Sequence, residues 1–176
     1  MNLPFRRLLQ LSAALLVLTG ITGAQPARTN PFIGRWKLNV GRSTFPDPPP
    51  QGYFNLRQYE EMPDGSVAHT MLWGTSGTGD LLVTVARWDG NEFPVYNAHT
   101  LAPFLANGTK PVMTVTFKRV DEHTIEYTDR VSGRISSHGP CSVSPDGSTL
   151  TIVSHALDPG GKERSLTTLI YERQTK

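Results

Sequence analysis

The residues able to do chemistry are few and widely spaced. Five histidines, His69, His99, His123, His138 and His155, show neither His-x-His nor His-x-x-x-His spacing and have no cysteine partner at metal-ligand distance. No metal site and no cofactor is expected from them. Strand pairing can still bring His138 and His155 together, but two surface histidines without a third ligand read as solvated. The stretch Gly74-Thr75-Ser76-Gly77-Thr78-Gly79 invites comparison with two catalytic loops and matches neither. A nucleophile elbow needs glycine where Thr78 stands, and a phosphate loop needs a following Gly-Lys-Ser/Thr and a helix. Glu60, Glu61, Asp64, Glu92, Glu126 and Asp158 fall at turns or on outward faces, so no two carboxylates are set up for acid–base work. No catalytic residue is expected.

Polar tips on apolar strand faces are more informative. Over residues 66–73 the apolar face is Val67, Met71 and Trp73, and it carries His69 with it. Over 124–131, Ile125, Tyr127 and Val131 share one face, with Asp129 on it and Glu126, Thr128 and Arg130 opposite. A buried imidazole or hydroxyl costs free energy unless it is paired. His69, Trp73, Tyr127 and Asp129 are therefore candidate ligand-facing residues, and a structural hydrogen-bonded pair is the alternative. Cys141 is the only cysteine, so no intramolecular disulfide forms and the thiol is expected in the core.

The elements that must position these groups are short β-rich runs: 34–39, 53–61, 66–73, 80–88, 92–97, 111–119, 124–131, 134–143, 148–157 and 163–173. No stretch sustains helical periodicity. Between the runs stand turn clusters such as Pro63-Asp64-Gly65, Asp89-Gly90-Asn91, Ser132-Gly133 and Pro145-Asp146-Gly147. Links this short join neighbouring strands antiparallel, which gives a meander. An open meander exposes two edges, so the expected fold is all-β, an antiparallel up-and-down barrel of about 8–10 strands. A β-sandwich is the alternative. Residues 40–52, with Pro46, Pro48, Pro49 and Pro50, should form an extended surface strap without helix or interior strand. Residues 98–110 should form a loop that tucks Leu101, Phe104 and Leu105 against the rim.

Hydrophobicity also proposes a register for the hairpin at Pro145-Asp146-Gly147. Val143 opposite Ser148 sets Cys141 against Leu150 and Ile135 against Ala156, an apolar face that buries Cys141. It leaves His138 and His155 outward in diagonal positions about 7–8 Å apart.

The N-terminus reads as an export signal over residues 1–24: Arg6 and Arg7 precede the apolar run 11–18, which ends in Thr22-Gly23-Ala24. That run is too short to span a bilayer, so no membrane span is expected once the signal is removed. Residues 25–31 read as a linker and 32–176 as one barrel domain, in an exported chain that is periplasmic or extracellular. The chain's formal charge of +2 comes from Arg6 and Arg7, and residues 25–176 are balanced. A neutral surface without basic runs argues against nucleic acid. Nothing in the sequence specifies an oligomeric state.

The opening Phe32-Ile33-Gly34-Arg35-Trp36-Lys37-Leu38-Asn39 resembles the Gly-x-Trp first strand of the calycin superfamily, which includes lipocalins and fatty-acid-binding proteins. With Ser43-Thr44-Phe45-Pro46 and its proline-rich strap, the chain looks like exported bacterial lipocalin-like proteins without assigned function. The resemblance implies that Gly34 and Trp36 close one end of the barrel and that Arg173 lies across the indole. The ending Leu169-Ile170-Tyr171-Glu172-Arg173 is similar to the last strand of the fatty-acid-binding branch, which makes Tyr171 a further ligand-facing candidate. The arginine that this branch places two residues earlier is Leu169 here. The expected function is binding of a small apolar or amphipathic molecule. A structural or interaction module with a filled core comes next, and an enzyme last.

Overall fold

A computed structural model describes residues 30–175. The expected signal over 1–24, the start at Gln25 and the linker up to Thr29 lie outside the described residues. Eleven strands form one antiparallel sheet: β1 (Gly34–Leu38), β2 (Phe54–Glu61), β3 (Val67–Thr75), β4 (Thr78–Ala86), β5 (Asp89–Pro94), β6 (Tyr96–Asn97), β7 (Met113–Arg119), β8 (Thr124–Val131), β9 (Arg134–Val143), β10 (Thr149–Leu157) and β11 (Glu163–Gln174). One helix, α1 (Ala98–Asn107), joins β6 to β7.

The strand order is β5-β7-β8-β9-β10-β11-β1-β2-β3-β4-β6, so the two edges of the sheet are consecutive in the chain. The run expected as one strand over 92–97 splits at Val95. Before it, Phe93 pairs with Val115 of β7; after it, Tyr96 pairs with Val83 of β4. Pro94 sits at the switch, where a residue without an N–H cannot continue a ladder. Its carbonyl accepts the Thr84 hydroxyl at 2.8 Å, and Val95 N donates to Met113 O at 3.0 Å. One stretch of chain thus bridges both edges, and the sheet is nearly closed into a barrel rather than split into a sandwich. The architecture is compatible with a calycin-like fold.

One end is closed by aromatic packing. Phe32, Trp36, Tyr59 and Tyr171 are fully buried or nearly so, together with Ile125 and Leu150. Arg173, opposite Trp36 in the ladder, places its guanidinium 4.1 Å from the indole centroid. It also donates to the carbonyls of Ile33, Pro31 and Gly147. Gly34 makes room for it: at φ +135°, a Cβ there would stand 2.6 Å from Arg173 Nη1.

Several expectations are corrected. The segment 98–110 contains a helix, because Asn97 and Thr100 form a capping box and Gly108 closes the other end in the left-handed region. Phe104 packs on Tyr96 with centroids 4.7 Å apart, but Leu105 is 74% exposed rather than tucked against the rim. The strap holds one 3-10 turn, Val40–Arg42, capped by Asn39, and Thr44 bridges to Thr168.

The β9–β10 hairpin is offset by two residues from the expected register: Val143 pairs with Leu150 and Cys141 with Ile152. Its turn decides this. Asp146 accepts the Ser148 amide at 3.0 Å and Ser144 N donates to Thr149 O at 2.9 Å, which makes 145–148 the loop. A shift of two keeps every side chain on its face, so Cys141 is still buried. Between β8 and β9 an extra residue, Ser136, enters where Asp129 pairs with Ser137 and Arg130 with Ile135. The bulge turns Ile135, expected inward, to the outer face opposite Arg130, and Val131, also expected in the core, is exposed at the end of β8.

Candidate functional site

Beyond the aromatic plug the barrel holds a cavity of about 160 Å³. Its walls are mostly apolar, with Met71, Leu82, Val95, Met113, Val115, Phe117, Ile152 and Leu169 among them. The polar groups converging on it are Arg57, His69, Tyr127, Asp129, Ser137 and Ser154.

Arg57 is inside because of the ladder. It pairs with Trp36 on one side and Met71 on the other, and Met71 pairs with Leu82, so all four share the inward face. On the same strand Leu56 faces out and is 39% exposed. This inversion hides Arg57 from hydrophobic patterning. The signal that finds it is the pairing itself: once Trp36 is inward, so is whatever stands opposite it.

The guanidinium is held on two sides. Its Nε donates to the Tyr171 hydroxyl at 2.9 Å, and Nη1 donates to His69 Nε2 at 3.3 Å. Among the described residues no carboxylate lies within ion-pair distance of it. Arginine stays protonated in proteins, so the charge is present inside the barrel. A charge in that position is costly unless a partner offsets it.

The neighbouring groups are set by burial. Burial, helped by the Arg57 charge, holds His69 well below the ordinary histidine pKa, so the imidazole is neutral. It stacks on Tyr59 at 4.5 Å and 6°, with Phe117 edge-on at 6.2 Å. Accepting from Arg57 at Nε2 puts its proton on Nδ1. Burial raises the Asp129 carboxyl above the usual range, partly offset by the Ser137 hydroxyl at 2.9 Å and by Arg57. It pushes the Tyr127 phenol and the Cys141 thiol up to about 12 each. None of these is an activated nucleophile: the thiol is fully protonated near neutrality, and the one imidazole is already engaged by a cation.

Of the sequence candidates, His69, Tyr127 and Asp129 meet at the cavity, and Cys141 lines it. Tyr171 lies beneath Arg57, fully buried, and reaches the cavity only through that arginine. Trp73 follows Met71 on the inward face of β3 but lies opposite Asn55, outside the cavity wall. Gly34, Trp36 and Arg173 belong to the closed end. Among the described residues no group of three or more His, Cys, Asp or Glu is placed to hold a metal, and no helix is long and apolar enough to cross a membrane. No protein-family model matches the chain, and no curated protein matches it.

Proposed function

We propose that this chain is an exported calycin-type barrel that binds one small amphipathic anion, with the acid group on Arg57 and the apolar part among Met71, Leu82, Val95, Met113 and Val115. The observation that carries this reading is the Arg57 guanidinium, turned into a mostly apolar cavity with a tyrosine and a neutral histidine as its hydrogen-bond partners and, among the described residues, no carboxylate within ion-pair distance. An entering carboxylate supplies the missing charge through hydrogen bonds of ~1.5–3 kcal/mol each.

Size narrows the ligand. The cavity of about 160 Å³ is close to engineered apolar cavities of ~150 Å³ that take up benzene. It is about half the ~300 Å³ at which pockets for drug-sized ligands begin. A compact acid with a ring or a short chain fits, and a long-chain lipid does not. The raised thiol pKa and the engaged histidine favour the binding reading over a catalytic one.

Ligand-observed NMR with benzoate, hexanoate and the matching alcohols tests this reading. The acids should receive magnetisation from the protein and displace one another. Equal responses from acids and alcohols, or none from either, would contradict it. Export is tested by intact mass, which should begin at Gln25.

A further inference from the structure

We propose that His138 and His155 form a site for one divalent transition-metal ion on the outer wall of the barrel, with Glu163 fixing the ligating tautomer of His155. The two histidines stand directly opposite each other in the β9–β10 ladder. Their rings lie face to face with centroids 5.3 Å apart and 11° between planes, so both stand on one patch of the outer wall and a rotation of the side chains is enough to bring a nitrogen of each onto one ion. Imidazole suits copper, zinc and nickel.

The arrangement around His155 is the second observation. Its Nδ1 lies 2.7 Å from Glu163 Oε2, a carboxylate on the neighbouring strand β11. Donation from Nδ1 leaves the Nε2 lone pair free, and a carboxylate behind a ligating imidazole is the usual outer shell of histidine–metal sites. His138 is exposed, and its ring turns toward a shared ion at little cost. The mounting beneath the rings is rigid. A Cβ at Gly139 would stand 2.0 Å from Val153 O, so the two backbones are in contact there, and the His155 ring rests 3.7 Å from the same point.

The site is open. Among the described residues no third ligand is grouped with the pair, so water completes the coordination in the surface depression that Glu126, Thr128 and Pro140 border. Two nitrogens without a thiolate favour Cu²⁺ over Zn²⁺ by the ordinary affinity order. The rings face away from the cavity, so the site is independent of Arg57.

Calorimetric titration of untagged protein with Cu²⁺, together with electron paramagnetic resonance of the loaded protein, tests the proposal. The expected result is one saturable equivalent per chain with two equatorial nitrogens. His138→Asn and His155→Asn should each abolish saturable binding, and Glu163→Gln should weaken it by about tenfold or more with stoichiometry unchanged. His99→Asn, in α1, should titrate as wild type. Absence of saturable binding, a spectrum with fewer than two nitrogens, or binding that survives either β9 or β10 histidine substitution would overturn it. Full affinity in Glu163→Gln would overturn the role of the carboxylate.

Discussion

Arg57 on β2 and Tyr171 on β11 are joined through the barrel interior, Nε to phenol oxygen at 2.9 Å, with β1 lying between their strands. The bond leaves the tyrosine inaccessible and the arginine facing the cavity. Tyr171→Phe keeps the ring and removes the acceptor, which leaves a buried charged donor unpaired. It should destabilise the protein by ~1–3 kcal/mol, read as a lower urea midpoint at unchanged m. An unchanged midpoint would mean that the Arg57 Nε is solvated from the cavity.

The His69 imidazole, held well below the ordinary histidine range by burial and by Arg57, links stability to pH. Its folded pKa is below the unfolded ~6.5, so beneath that pH the unfolded chain binds the extra proton. The contribution is fully present above ~6.5 and is lost as pH falls toward the folded pKa, at up to ~1.4 kcal/mol per pH unit. Asp129, shifted upward by burial, acts in the opposite direction and is common to the wild type and the His69→Gln variant. His69→Gln keeps an acceptor for Arg57 and removes the titration. Between pH 7 and 5 its unfolding midpoint should therefore fall less steeply than that of the wild type, and parallel profiles would contradict the assignment.

Gly34 and Arg173 make a steric pair at the closed end. Gly34→Ala requires φ +135° of an L-residue and sets its methyl 2.6 Å from Arg173 Nη1, displacing the guanidinium from the Trp36 indole. It should cost more than ~1 kcal/mol and alter the near-ultraviolet circular dichroism of Trp36, with far-ultraviolet strand content retained. A neutral substitution would show that the guanidinium has another resting place.

Cys141 lines the cavity wall as a protonated thiol, with its pKa pushed up to about 12 by burial. At pH 8 the native protein should react with an aromatic disulfide reagent at least about a hundredfold more slowly than in urea, since the thiolate is the nucleophile. Equal rates would place the thiol outside the core.

The meander and the inward faces of β7 and β8 are legible in the sequence because those strands alternate cleanly: Val115 and Phe117, Ile125 and Tyr127 are all buried. Asp89-Gly90-Asn91, expected as a turn, instead opens β5, where the ladder with β7 is irregular between Asp89 and Glu92. His69, Tyr127 and Asp129 came into view by the same rule. Arg57 did not, because on β2 leucine faces solvent and arginine faces the cavity, and only the pairing with Trp36 reveals it. The β9–β10 register differed by two residues because such a slip preserves every face; hydrogen bonding by Asp146, not hydrophobicity, chooses between the options. The helix α1 is masked in the sequence by Pro103, although Asn97 and Gly108 carry its two end signals.

The most direct measurement is a calorimetric titration of wild type and Arg57→Met with benzoate and with benzyl alcohol, ligands of similar size that differ in charge. We predict that benzoate binds the wild type one to one and loses ~10- to 100-fold in affinity on Arg57→Met, matching one charge-assisted contact of ~1.5–3 kcal/mol. Benzyl alcohol should bind weakly and alike to both. Benzoate that binds both proteins equally, or neither, would contradict an anion site at Arg57 and leave the barrel interior as packing.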